Sequence, residues 1–209
     1  GDIPALYRRY AEASGREVDL PVVAYHTVGF MQLSAIAAMT FMNPEVRGAN
    51  WIEGVLEYAS ISRRGLEAIA ELDGLTLDYD LHLPEPTKQP WETSGLEKLL
   101  VDIARLPVSS AFEDWERDLL GAIPQFLLNY TRYRDWFERE TIHEIGQLVG
   151  ERFEDLSAAD AALSKVIADG DADRDEALVR LLHKRSLRLS MIIAGTDPDD
   201  ENPLFHKLD

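Results

Sequence analysis

Apolar residues recur along this chain at three- and four-residue spacings, the period of helices buried on one face. Leu20 to Met42 departs from that pattern, because LPVVAYHTVGFMQLSAIAAMTFM carries no charged residue and is apolar at almost every angle. Its length matches the roughly 30 Å of a bilayer core. His26, Thr27, Gln32, Ser34 and Thr40 interrupt it, Gly29, Ala35, Ala37 and Ala38 make it small, and basic flanks are sparse. It therefore reads as a buried central helix rather than a membrane span.

Ile3 to Ser14 reads as a short helix with Pro4 in its first turn, a Leu6/Tyr7/Tyr10 face and Gly15 as its stop. Asn43-Pro44 ends the charge-free helix. Gly48 to Leu72 then places Trp51, Ile52, Val55, Leu56, Ala59, Leu66, Ile69 and Ala70 on one face, with Arg63, Arg64, Glu67 and Glu71 toward the other. Two long helices with a short connection predict an antiparallel hairpin. Between Asp73 and Thr93, Pro84, Pro86 and Pro90 forbid regular helix and predict an extended strap.

Helix signals return at Ser94. Ser94-Gly-Leu-Glu97 and Ser110-Ala-Phe-Glu113 have the capping-box pattern, and Ser157-Ala-Ala-Asp160 resembles it. Pro107 separates the first two of these helices, and Pro124 lies near the start of a long one running to about Phe153. Ala158–Ala168, stopped by Gly170, and Asp173–Ala194, ended by Gly195, complete the set before an acidic, proline-punctuated tail. The expected fold is all-α: a helical hairpin or bundle over 1–72, a proline-rich linker over 73–93, and a second helical bundle over 94–209.

Composition narrows the function classes. The net charge is −17 over 209 residues, which disfavours nucleic acid and anionic membrane as partners. With no cysteine, disulfides, thiolate metal sites and cysteine nucleophiles are excluded, as expected of a cytoplasmic protein. The chain opens Gly1-Asp2-Ile3-Pro4, with no signal-peptide pattern; a start without methionine suggests a tag remnant or a fragment of something longer.

No complete catalytic motif is present. His143-Glu144-Ile145-Gly146-Gln147 begins like a zinc-protease helix, but Gln147 stands where the second histidine is required. Asp169 to Glu176 alternates acids like a calcium loop. Arg174 replaces its turn glycine and Arg180 its terminal glutamate, so an acidic helix–helix turn with Asp171 or Asp173 as cap is expected, and no metal site. The candidates that remain are Tyr25, His26 and Gln32 as substrate-pocket residues, and the basic stripe Arg180, Lys184, Arg188 as an anion or partner site.

The segment Ala5-Leu-Tyr-Arg-Arg-Tyr-Ala-Glu-Ala-Ser-Gly-Arg-Glu-Val-Asp19, followed by Val23-Ala-Tyr-His-Thr-Val-Gly-Phe-Met-Gln-Leu33, resembles the last part of the aminoglycoside-phosphotransferase-like family. Arg9, Tyr10, Ser14, Gly15, Arg16 and Val18 match its R-Y-x-x-x-[ST]-G-[RK]-x-[VL] pattern, and Tyr25 and Phe30 match the apolar helix that follows. The resemblance covers roughly residues 3 to 72. It implies the non-catalytic C-terminal portion of a kinase-like protein that phosphorylates a small molecule. The family's nucleotide lobe, lysine, catalytic aspartate and magnesium-binding acid would all precede Gly1. Neither ATP nor magnesium is therefore expected on this chain, and an upstream lobe is an expected partner. Residues from about 94, notably 159–170 and 178–189, resemble an uncharacterised helical domain that accompanies such proteins. The alternative is a self-contained all-α interaction module, with a homodimer as its expected assembly.

Overall fold

In the computed structural model, which describes residues 3–43, 45, 51–87 and 90–194, the fold is all-α, with seven α-helices and no strand among the described residues. They are α1 (Ile3–Ser14), α2 (Leu20–Phe41), α3 (Trp51–Asp73), α4 (Pro90–Ala104), α5 (Ala111–Val149), α6 (Leu156–Asp169) and α7 (Asp175–Ala194), with one 3-10 turn at Ala172–Arg174.

α2 and α3 form the expected hairpin. Asp19 caps α2 by accepting the Val22 N–H at 3.2 Å. The α2 backbone then passes close over the α3 glycines. A Cβ at Gly54 would stand 2.9 Å from the Phe41 Cβ and 3.1 Å from the Ala38 carbonyl oxygen, and one at Gly65 would stand 3.3 Å from the Met31 Cβ. At Gly54 a side chain would force the helices apart, whereas at Gly65 the Met31 side chain would have to yield by a few tenths of an ångström. The α3 face opposite packs on α7, and α7 packs in turn on α5. The main apolar cluster joins Ile145 of α5, Ala159, Leu163 and Val166 of α6, and Leu178 and Leu181 of α7. α4 folds back along α5, whereas α1 makes little contact with the other helices.

Residues 74–87 form the extended strap, which runs without strand pairing from Gly74 (φ 66°) to Thr87. Its end is pinned where the Thr87 N–H donates to the Arg132 carbonyl at 2.8 Å. The predicted stops at Gly15 and Gly170 have the left-handed backbone that glycine allows, with φ of 67° and 66°. Pro44, most of the stretch before α3 and the tail from Gly195 lie outside the described residues.

Several expectations are corrected. α4 starts at Pro90 rather than Ser94; Ser94 Oγ donates back to the Trp91 carbonyl, and Glu97 pairs with Arg132 at 3.0 Å. α6 is capped by Asp155, not Ser157, because the Asp155 carboxylate reaches the Ala158 N–H at 2.8 Å. α5 is one helix of 39 residues that passes through buried Pro124 and stops at Gly150 (φ 82°). A proline inside a helix loses one hydrogen bond; here the capped turns before it and the packed turns after it carry the helix through. Ser110 accepts the Glu113 N–H as predicted, while Glu113 reaches back to the N–H and hydroxyl of Ser109, at 2.7 and 2.6 Å, instead of closing on Ser110.

The largest correction concerns α2. It is not a buried central helix: only Ala24 and Ala38 are buried, and 11% of its most apolar window lies inside the protein. One helix, α3, covers one side, and nothing among the described residues covers the other.

Candidate functional site: a bare apolar helix and a closed ionic seam

The bare side of α2 follows from its sequence. A helix apolar at every angle needs neighbours all round, and one neighbour hides only about a third of its circumference. Ala24 and Ala38 meet α3, so Val22, Gly29 and Ile36, seven residues apart, point the opposite way. Tyr25, Phe30, Leu33 and Ile36 are 69%, 66%, 71% and 66% exposed, and Leu20, Met39 and Phe41 join them. By length and composition alone this helix is able to cross a membrane, with a mean hydropathy of 1.4. On α1, Leu6 and Tyr10 are also exposed.

The three pocket candidates all lie on α2. Tyr25 and His26 stack edge to face with ring centroids 5.6 Å apart, and both are exposed, as is Gln32. None of them lines the described groove. That groove, about 890 Å³ and open, lies at the C-terminal end of α5, where Glu138, Arg139, His143, Gln147, Glu151 and Arg152 line it. Here the zinc-like segment is explained structurally. The Gln147 amide stands 2.9 Å from His143 Nε2, in the place where a metal ligand would be needed. Gly146 is glycine because a Cβ would stand 2.7 Å from the Glu151 carbonyl oxygen where the chain turns back. No cluster of three or more acidic or imidazole groups suited to a metal ion occurs among the described residues.

The basic stripe of α7 is engaged by the chain itself. Arg180 bonds the Thr76 carbonyl of the strap and Glu176 of its own helix; Lys184 pairs with Asp78 of the strap at 3.1 Å. Arg188, 2% exposed, is bound by Glu144 of α5, and Arg185 makes a two-pronged bond to Asp160 of α6 at 2.5 and 3.0 Å. Between these cations His183 is fully buried. Its ring meets Tyr79 of the strap edge to face at 5.0 Å, and its Nε2 lies 3.6 Å from Glu67 of α3. Glu67 is itself buried and takes Arg63 at 3.2 Å. The acidic loop beside α7 behaves as a turn, with Asp171 accepting the Asp173 N–H and pairing with Arg174 at 3.3 Å.

Sequence reading missed the seam's inner members. Arg63 and Glu67 read as a polar outer face of α3, yet both are buried, and Glu67 faces His183 of α7. The i, i+4 Arg63–Glu67 pair was visible, but nothing local revealed that a histidine 116 positions beyond Glu67 would close over it.

The strap's electrostatics predict a pH response. The N–H of Asp80 and then the ammonium of Lys184 hold the Asp78 carboxyl below the usual carboxylate range. A depressed carboxyl stabilises the folded state above its unfolded pKa, and that contribution is lost as pH falls through its lower folded value. Acidification through and below the ordinary carboxylate range should therefore loosen the strap, raising hydrogen exchange at Leu77 to Leu81 before the helices open. Asp78→Asn should remove this acid-dependent component. Because Asp78 is largely exposed, the effect is expected to stay local.

Comparison of the chain with protein-family models, with curated proteins and with solved structures finds no match.

Proposed function

We propose that this chain is the non-catalytic helical portion of an aminoglycoside-phosphotransferase-like protein, contributing a docking surface rather than reacting groups. The carrying observation is the bare face of α2, on which Tyr25 and Phe30 of the family-like pattern stand exposed. The rest of the pattern supports the same reading: Arg9, Tyr10 and Ser14 lie on α1, and Gly15 turns the chain toward the Asp19 cap of α2.

In this reading ATP and magnesium belong to a kinase-like lobe elsewhere in the protein, whose reaction depends on cradled phosphates, bound magnesium and a positioned base. The setting is cytoplasmic, in keeping with the absence of cysteine. The acidic charge argues against nucleic acid as a partner. Titration of the chain with ATP and magnesium in a calorimeter should give no binding heat; magnesium-dependent ATP binding would overturn the non-catalytic reading.

A second reading, a self-contained all-α interaction module, is favoured by the closure of the α3–α5–α7 interior by its own residues and strap. The coding sequence ahead of Gly1 distinguishes the two. A catalytic aspartate followed by a magnesium-binding acid there supports the first, and an unrelated or absent upstream region supports the second.

A further inference from the structure

We propose that the bare face of α2 is a two-fold dimer interface, occupied by α2 of a second copy of this chain crossing at Gly29. The inference rests on the reading of α2 as a docking surface and goes beyond it by naming the occupant. Val22, His26, Gly29, Leu33, Ile36 and Thr40 follow one another at alternating steps of four and three residues, the spacing of a helix–helix seam. This seam lies opposite Ala24 and Ala38, the positions buried on α3.

Three observations select a second copy. The first is area. Eight apolar side chains of α2, from Leu20 to Phe41, are between 44% and 71% exposed. Those on the seam side, Val22, Tyr25, Leu33, Ile36 and Met39, offer on the order of 500 Å² per copy, so two copies would bury about 1,000 Å² between them, the least that a specific interface needs.

The second is charge. Each copy carries −17, so most of the surface of one repels most of the other; the run from Leu20 to Met42 has no charged residue and allows two copies to meet without opposing carboxylates. It also offers a basic partner nothing to bind.

The third is Gly29. A Cβ there would meet nothing within 4 Å, so the fold of a single copy does not require a glycine at that position. Glycine in mid-helix weakens the helix and is useful where another backbone comes close. Gly29 lies at the centre of the bare face and almost at the midpoint of α2. A two-fold crossing at that point sets the same patch of each copy against the other.

The test uses the full chain in sedimentation velocity over a range of micromolar concentrations. A dimer is expected. Leu33→Glu with Ile36→Glu should weaken it on the order of 100-fold while leaving helical circular dichroism intact. Because the chain has no cysteine, Gly29→Cys places a single thiol at the crossing. Mild oxidation should link two copies there, since a disulfide requires Cα atoms about 4–7 Å apart. Lys98→Cys on α4 should give no such product. Dimers that survive the double glutamate change and do not cross-link at Gly29 overturn the proposal. Flotation of the chain with neutral phosphatidylcholine vesicles, abolished by the same change, also overturns it in favour of lipid. A monomer that binds a hydrophobic dye through α2 overturns the second copy but leaves the docking surface standing, whereas a monomer that binds neither dye nor vesicle removes both.

Discussion

Replacing Glu67 by alanine is expected to lower the stability of the chain by about 3–5 kcal/mol, the usual effect of removing one partner from a buried ion pair. Glu67 is 7% exposed and faces Arg63 at 3.2 Å, Arg64 at 3.7 Å and His183 at 3.6 Å. Its loss removes the carboxylate that Arg63 and Arg64 share in the buried seam and on which the His183 ring rests. Arg64 suffers less, because Glu71 holds it independently at 2.8 Å. In a chain of this size the change corresponds to a fall in Tm on the order of 10 °C. Urea unfolding of the single variants and of Arg63→Met with Glu67→Leu measures the effect. The paired apolar change should recover most of the loss, because it removes both charges from the low-dielectric seam. A single-variant loss below about 1 kcal/mol would mean that the seam is solvated and that the α3–α7 contact does not depend on it.

The second large effect is expected at Ile145. Its side chain is fully buried in the cluster shared by α5, α6 and α7, against Ala159, Leu163, Val166, Leu178 and Leu181. Ile145→Ala removes three carbons from the meeting point of three helices and leaves a cavity that none of them alone is free to fill. The expected cost is about 2–5 kcal/mol, against roughly 1 kcal/mol for Ile145→Val. Denaturant midpoints with unchanged slopes would check both. If the alanine variant matched the valine variant, the cluster would have to be soft enough to collapse onto the gap.

The fold class could be read from the sequence because its signals are local. The hairpin followed from two long apolar runs, the stops at Gly15 and Gly170 from the glycine that a left-handed turn requires, and the strap from its prolines. Helix starts were less legible, since several residues near a terminus are able to cap it. Asp155 rather than Ser157 caps α6, and α4 begins a turn before Ser94. Which face of α2 stands bare was not legible: a helix apolar at every angle has no periodicity to show which side packs. The α7 stripe posed a different difficulty. Arg180 and Lys184 are spaced like a free cationic face, but their partners lie about a hundred positions earlier, at Thr76 and Asp78. Pairings of that range leave no mark on local sequence.

The packing of α7 also determines the order in which the chain can fold. The α2–α3 and α4–α5 hairpins join near neighbours and close short loops, so they form early and fast. The contacts of α7 with α3, through Glu67 and His183, close a loop of more than a hundred residues, and α7 is also the last described helix to leave the ribosome. Until it emerges, Glu67 on α3 and Glu144 on α5 await His183 and Arg188, and the strap has no basic stripe to lie on. The two hairpins touch directly where Trp51 of α3 meets Phe126 of α5, but the buried ionic partners of both come from α7 alone among the described helices.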